Sequence, residues 1–436
     1  MPNQITDFSE VNNLILERKL TVEELAELTV KRVELVDMNI KSFIHLDKEL
    51  LFRQASKMDE EIAAGRFRKN LGLTISVKDN IYVDGLGIAM GTDLWKIKKS
   101  GFDARVVSNL RASGALIIGK TKTAEFAIHK PPDTKNPIDE TASPGTSSTG
   151  SAASVSANLV MGSIGTQSAA SIIKPASYCN VIGFKPSYGL IPRTGILKTA
   201  DNLDTVGFFA NDLDILSKVF TSSLVSGIDY PFNNILEKGS GSDRAIRVTQ
   251  ISNSNVCSPR VQENFISNCQ KLFKDSGFIQ IDLNLNELIE QARLTHRALY
   301  YGNVSYFLAQ DLQISIDELS EELREVIEFG NGVTSSELEE ARNQQVYLAS
   351  ILDRYFELTD FIITPSTFDV PPDYGISDQI NDSSFFWTLC GNPAISLPTT
   401  ISLDGKRFVG LQIIARKYND YGLINFARNL QMKWGI

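Results

Sequence analysis

The side chains best suited to covalent chemistry in this 436-residue chain are hydroxyls. From Thr141 to Ser171, 23 of 31 residues are Gly, Ala, Ser or Thr, and no charged residue falls between Glu140 and Lys174. The stretch GTSSTGSAAS, Gly145 to Ser154, lies inside this tract. A serine hydroxyl is a weak nucleophile until a neighbouring base takes its proton. Imidazole is a common base, yet the chain holds only His45, His129 and His296, with no HExxH or HxH spacing. A Ser-His-Asp site or a His-rich metal site therefore has little to be built from. Lysine is the remaining candidate. Lys78, in ISVKDN, directly follows an apolar run, where desolvation disfavours the ammonium form. Moving a lysine from about 10.4 to near 7 takes about 4–5 kcal/mol, which burial beside hydroxyls and away from carboxylates can supply. Asp79 is adjacent in sequence, but neighbours on a strand point to opposite faces and need not pair.

The elements that must position these groups follow from pattern. A flexible linker is charged or uniformly polar, whereas the small-residue tract contains VSANLVMGSIGT, with helical apolar spacing and then a strand-like run. It reads as a folded segment with close backbone packing. A helix of ten to twelve residues after Ser148 travels roughly 15–18 Å, and about five extended residues return about 17 Å, so Ser147 and Ser171 are expected to meet. Thr21 and Glu24 form a capping box, and the apolar spacing predicts a helix over 22–37. Short apolar runs at 72–77, 115–119, 181–184, 245–251, 278–283, 361–365 and 410–415 alternate with helical segments. That alternation implies an α/β fold with a sheet covered on both faces. GALIIGKT, Gly114 to Thr121, satisfies the P-loop expression. Its variable positions are strand formers, though, and their N–H groups belong to a ladder, so a buried strand is expected instead of a phosphate cradle.

Composition narrows the function classes. A net charge of −9, a pI near 5.1 and the lack of any Lys/Arg cluster leave no footprint for direct nucleic-acid binding. Cys179, Cys257, Cys269 and Cys390 form no CxxC pair, so they are expected as reduced, mostly buried thiols. The N-terminus lacks a signal-peptide pattern and no apolar run is long enough to span a bilayer, which predicts a cytoplasmic protein with no membrane partner. The acidic run DELSEELREVIEFG within 310–360 reads as a solvated helix face broken at Gly330 and Gly332. With no repeat and no linker, the chain is expected as one domain spanning 1–436. Its parts are N-terminal helices (1–65), a core (66–205), a variable helical segment (205–360) and a C-terminal return to the sheet (361–436).

SVKDN, GTSSTGSAAS and GTQSAASIIKPASYCNVIGFKPSYG, in that order and spacing, resemble the amidase signature family, and the resemblance continues through GLIPRTGILKTADNLDTVGFFA and GNPAISLPT. It covers most of the chain. The resemblance implies a large mixed sheet sandwiched by helices, and carboxamide hydrolysis by a Ser–cis-Ser–Lys triad without metal or cofactor. Ser171 matches the nucleophile, Ser147 the serine after a cis peptide bond, and Lys78 the base. The backbone N–H groups of Ser168, Ala169, Ala170 and Ser171 match the oxyanion hole. Three positions depart from the family pattern: Thr146 stands where Gly is frequent, Ala169-Ala170 where a glycine pair is usual, and Gln167 where many members have Asp.

The function implied is that of an amidase acting on a small carboxamide, with a homodimer as a further expectation. Two alternatives stand beside it: the glutaminase subunit of a tRNA-dependent amidotransferase, which works on glutamine with a partner, and an inactive scaffold that kept the fold. The amidotransferase subfamily typically has Arg two residues after the nucleophile, and here that residue is Ile173. His129 and Gln167 are taken as substrate contacts, and Tyr300, Tyr301 and Phe385 as further pocket-wall candidates.

Overall fold

The computed structural model describes residues 5–94, 99–225, 245–308, 316–376, 383–399, 402 and 405–434. The expected 22–37 helix runs over α2 (Val22–Ile40), following α1 (Phe8–Leu16), and its capping box is formed: Glu24 N donates to Thr21 and Thr21 N to Glu24. Then come β1 (Phe43–His45), α3 (Lys48–Ala63), β2 (Thr74–Lys78), α4 (Arg105–Ser113) and β3 (Leu116–Thr121). The small-residue tract supplies α5 (Thr149–Ser156) and β4 (Gly162–Gln167), and the chain continues through α6 (Ile173–Tyr178), β5 (Ile182–Lys185), β6 (Thr205–Ala210) and α7 (Leu213–Ser223). After it lie β7 (Arg247–Gln250), α8 (Pro259–Ser276), β8 (Ile279–Gln280), α9 (Asn286–Leu308), α10 (Glu321–Asn331) and α11 (Ser335–Tyr355). The chain closes with β9 (Phe361–Pro365), α12 (Ser384–Leu389), β10 (Ala394–Leu397), β11 (Leu411–Ala415) and α13 (Asp420–Trp434).

All these strands join one mixed 11-stranded sheet, ordered β1-β3-β2-β4-β6-β5-β10-β11-β9-β7-β8. The parallel pairs are β2–β3, β2–β4, β7–β9 and β7–β8; the others run antiparallel. Eight neighbouring strands, from β3 through to β9, are buried along their whole length, as a sheet with both faces covered requires. Residues 205–360 are not only helical. They contribute β6, which lies between β4 and β5, as well as β7 and β8. The P-loop look-alike is strand: Leu116–Thr121 is paired to β2, and Lys120 is fully buried with its Nζ 2.9 Å from Asp79 Oδ1. All four cysteines are buried and free. Among the described residues no helix is long and apolar enough to cross a membrane.

The expected ten- to twelve-residue helix after Ser148 is shorter. α5 spans eight residues and is followed by Asn158 in the left-handed region, φ +53°, a conformation Asn tolerates and a helix cannot continue through. Its small residues have a packing reason. Ser148, Ser151 and Ser154 recur every three residues and so share one side of the helix start, and all three meet the sheet. Ser148 Oγ donates to Thr166 O (3.1 Å), Ser151 Oγ to Ile164 O (3.0 Å), and Ser154 Oγ lies 3.0 Å from Ser76 Oγ. Larger side chains would lift α5 off β2 and β4.

Candidate active site

The strand repeat of two places Ser76 and Lys78 on one face of β2. Ser76 meets Ser154 of α5, and Lys78, one repeat further on, reaches the start of the same helix. There Lys78 Nζ and Ser147 Oγ are hydrogen-bonded at 2.8 Å. Nζ also donates to Thr166 Oγ1 (3.0 Å) and lies 3.4 Å from Thr166 O. An uncharged amine has two hydrogens and one lone pair, and this surrounding offers two acceptor oxygens on Thr166 and one hydroxyl on Ser147 that can donate to the lone pair. Burial holds the Lys78 ammonium well below the ordinary lysine range, opposed by the charge of Asp204. Among the described residues no carboxylate pairs with Lys78. Asp79 turns the other way, binding Lys120 through Oδ1 and the N–H groups of Ala89 and Met90 through Oδ2 at 2.9 and 3.0 Å.

The loop before α5 carries Ser147 to this amine. The Thr146–Ser147 peptide bond is cis. Gly145 precedes it at φ +81°, where a Cβ would come within 2.9 Å of Pro175 Cα, so glycine is required by both conformation and space. Ser147 O accepts from Thr123 Oγ1 (3.0 Å) and Ala124 N (3.2 Å). Ser147 and Ser148, inseparable by residue type, are thus divided by geometry: one hydroxyl faces Lys78, the other the β4 backbone.

Ser171 follows β4 on a turn, and both serines line one cavity of about 480 Å³ together with Thr146, Ala169, Ala170 and Lys174. Among the described residues Ser147 Oγ and Ser171 Oγ share no hydrogen bond, and Ser171 Oγ has none. The peptide groups at this turn have a regular arrangement. The carbonyl of Ser168 meets His296 Nε2 (2.9 Å), that of Ala169 accepts from Thr388 Oγ1 (2.9 Å), and that of Ala170 accepts from Lys174 N (2.9 Å). Among the described residues the N–H groups of Ala169, Ala170 and Ser171 have no protein acceptor. Neither alanine takes a left-handed φ, so the turn does not need the glycines whose place they occupy.

The other expected contacts divide. His129, Tyr300, Tyr301 and Phe385 line the cavity. Burial, with the Lys174 charge added, pushes His129 down to about 4 against the pull of Glu322. Gln167 does not face the cavity. Its side chain is spent on the fold, with Oε1 accepting from Ile172 N (2.7 Å) and Ile173 N (3.0 Å) and Nε2 donating to Thr388 Oγ1 (2.9 Å). Ser168 also lies outside the lining, its hydroxyl donating to Asp204 Oδ1 at 2.5 Å.

Sequence reasoning missed the far wall. Arg293, His296 and Arg297 of α9 and Glu322, Glu325 and Phe329 of α10 line the cavity opposite the serines. The acidic run read as a solvated face therefore turns two carboxylates to the site. The signal was present only for His296, as one of three histidines.

An amidase family model matches residues 24–424. The chain is 27% identical to a glutamyl-tRNA(Gln) amidotransferase subunit from Prochlorococcus marinus over 97% of its own length and 96% of that protein. It is 28% identical to AmiD of Mycobacterium tuberculosis, over 98% and 94%. A crystal structure of an amidase superposes with a TM-score of 0.88 at 22% identity, covering 98% of this chain and all of the other.

Proposed function

This chain belongs to the amidase signature family, and from that premise we propose that it hydrolyses the C–N bond of a small carboxamide through an acyl-enzyme on Ser171, with Ser147 and Lys78 as the proton relay. One observation carries the reading: Lys78 is sealed from solvent, has no carboxylate partner among the described residues and is hydrogen-bonded to Ser147 at 2.8 Å. Burial disfavours the ammonium form of this amine, which makes it more available as a proton acceptor than an exposed lysine.

The proposed chemistry uses the Lys78–Ser147 hydrogen bond and requires Ser171 Oγ to come within reach of Ser147 Oγ when substrate binds. As Ser171 Oγ attacks the amide carbon, its proton passes to Ser147, whose own proton passes to the lone pair of Lys78. The carbonyl oxygen becomes an oxyanion and takes the N–H groups of Ala169, Ala170 and Ser171, each such donor contributing about 3 kcal/mol in the transition state. The proton returns through Ser147 to the leaving nitrogen, the C–N bond breaks and ammonia or an amine departs. Water then attacks the ester by the same relay, releasing the carboxylate and restoring Ser171.

The similarity to amidotransferase subunits supports a second reading, glutamine hydrolysis with ammonia passed to a partner. Ile173 weighs against it, since the residue two places after Ser171 is wholly buried and presents no charge to the cavity. Ammonia release from a panel of amides, glutamine included, tests both for wild type and Ser171→Ala. We expect turnover by the isolated chain that Ser171→Ala abolishes. Glutamine turnover only with a co-purified partner would favour the second reading. An absence of turnover together with no labelling by a serine-directed phosphonate would leave a scaffold.

A further inference from the structure

We propose that His296 and Thr388 are positioning residues for the oxyanion-binding backbone: each binds one carbonyl of the 168–171 turn and thereby holds the N–H on the far side of that peptide free for the developing charge. The inference rests on the amidase reading of the site.

A trans peptide is planar, with its C=O and N–H on opposite sides, so whatever fixes the carbonyl fixes the direction of the next residue's N–H. Three carbonyls in succession are fixed here. The third, Ala170 O, is bound by Lys174 N at 2.9 Å, which comes with the start of α6 and needs no special side chain. The first two depend on side chains distant in sequence: His296 on α9 for Ser168 O, and Thr388 on α12 for Ala169 O. A carbonyl only accepts, so His296 Nε2 must carry the hydrogen. The ring is held for this by stacking on Tyr300, with centroids 5.5 Å apart and planes at 23°, and by Phe385 at 5.8 Å. Burial pushes His296 down to about 4, which keeps the ring neutral at physiological pH. Thr388 is set by its own helix: its Oγ1 lies 2.9 Å from both Ala169 O and Ser384 O and accepts from Gln167 Nε2 at 2.9 Å. Its single proton has both carbonyls within reach.

Alanines in place of a glycine pair fit this scheme. The peptide planes are set from outside by α9 and α12, through the carbonyls, and the two added methyls leave those contacts in place.

The test is steady-state kinetics of the full chain on its best amide, for wild type, His296→Phe, His296→Gln, Thr388→Val and Thr388→Ser, with melting temperatures recorded. Phenylalanine keeps the stacking and removes the donor, and valine keeps the branch and removes the hydroxyl. We expect His296→Phe to lower kcat about 10- to 100-fold and Thr388→Val by roughly 5- to 20-fold, with KM changed less than about threefold, as loss of transition-state hydrogen bonding predicts. Glutamine at 296 and serine at 388 restore a donor and should recover most of kcat. Unchanged kcat in both donor-less variants would overturn the proposal, as would a rise in KM alone, or equal loss with and without the donor. Should His296→Phe fail to fold, the Thr388 pair decides. A wild-type chain that turns over no amide defeats the amidase reading itself, and the proposal with it; an active wild type with indifferent variants defeats only the proposal.

Discussion

The two sides of the cavity are built on different principles. On the α5–β4 side, Lys78, Ser147 and Ser148 are held by short hydroxyls and main-chain groups that have little freedom left to lose. On the α9–α10 side, Arg297 lies 4.3 Å over the Phe329 ring and Arg293 4.9 Å over Phe385, long side chains reaching in from helix surfaces. If the proposed relay operates, the first side is the one that must fix atoms to the tolerance bond-making needs, and the second offers shape and charge that can be altered without moving Lys78, Ser147 or Ser171. His296 is the exception, a wall residue that touches the 168–171 turn.

That division can be broken, and the largest effect is expected on the rigid side. Lys78→Met should lower kcat on the order of 10⁴-fold, in the range seen when a member of a catalytic relay is removed. In the wild type, activity should fall as pH drops through the lowered folded-state value of Lys78, because the protonated amine cannot accept from Ser147. Stability has a matching sign. The unfolded lysine binds its proton below about 10.4, while the folded one resists it to a lower pH, so stability declines as pH falls between the two. Calorimetry should therefore find Lys78→Met melting no lower than wild type at pH 7, with any advantage shrinking toward pH 10. An inactive variant that melted far lower would make Lys78 a structural residue.

The neighbour of that lysine should behave in the opposite way. Asp79→Ala strands the fully buried Lys120 ammonium, at a cost of about 3–5 kcal/mol, so denaturant unfolding should shift strongly, and the folded fraction should lose less than about tenfold in kcat. The smallest effect belongs to the α9–α10 wall. Phe329→Ala removes one aromatic face and should raise KM for bulky amides roughly tenfold, the scale of a lost apolar contact, and change kcat less. A kcat loss larger than the KM change would erase the distinction between the two sides.

Legibility in the sequence follows the same line. Lys78, Ser147 and Ser171 are picked out by the motif order that resembles the family; the charge-free tract of small residues and the lysine ending an apolar strand narrow the chemistry to hydroxyls and an amine and do not separate Ser147 from Ser148. The capping box at Thr21 and the strands at 361–365 and 410–415 are readable because local periodicity alone defines them. Gln167 misleads because its type fits a ligand contact equally well, and only its place at the end of β4 shows that it caps the turn into α6. β6 is hidden inside a segment that reads as helical, since Gly207 interrupts its apolar run. The wall is illegible for a simpler reason. Glu322 and Glu325 sit on an amphipathic helix whose sequence says which residues avoid the core, but not whether they meet bulk water or a cavity.

The sequence by itself settled the family and the sheet-with-helices architecture, because both are written in local patterns: residue size, strand and helix periods, and the order of motifs. Tertiary structure alone decided which of two adjacent serines faces the amine, which carboxylate stays away from it, and which distant side chains hold the turn at Ser171. Those outcomes depend on contacts between residues as many as 219 positions apart, and no local pattern encodes the direction of a hydroxyl or a carbonyl across such a distance.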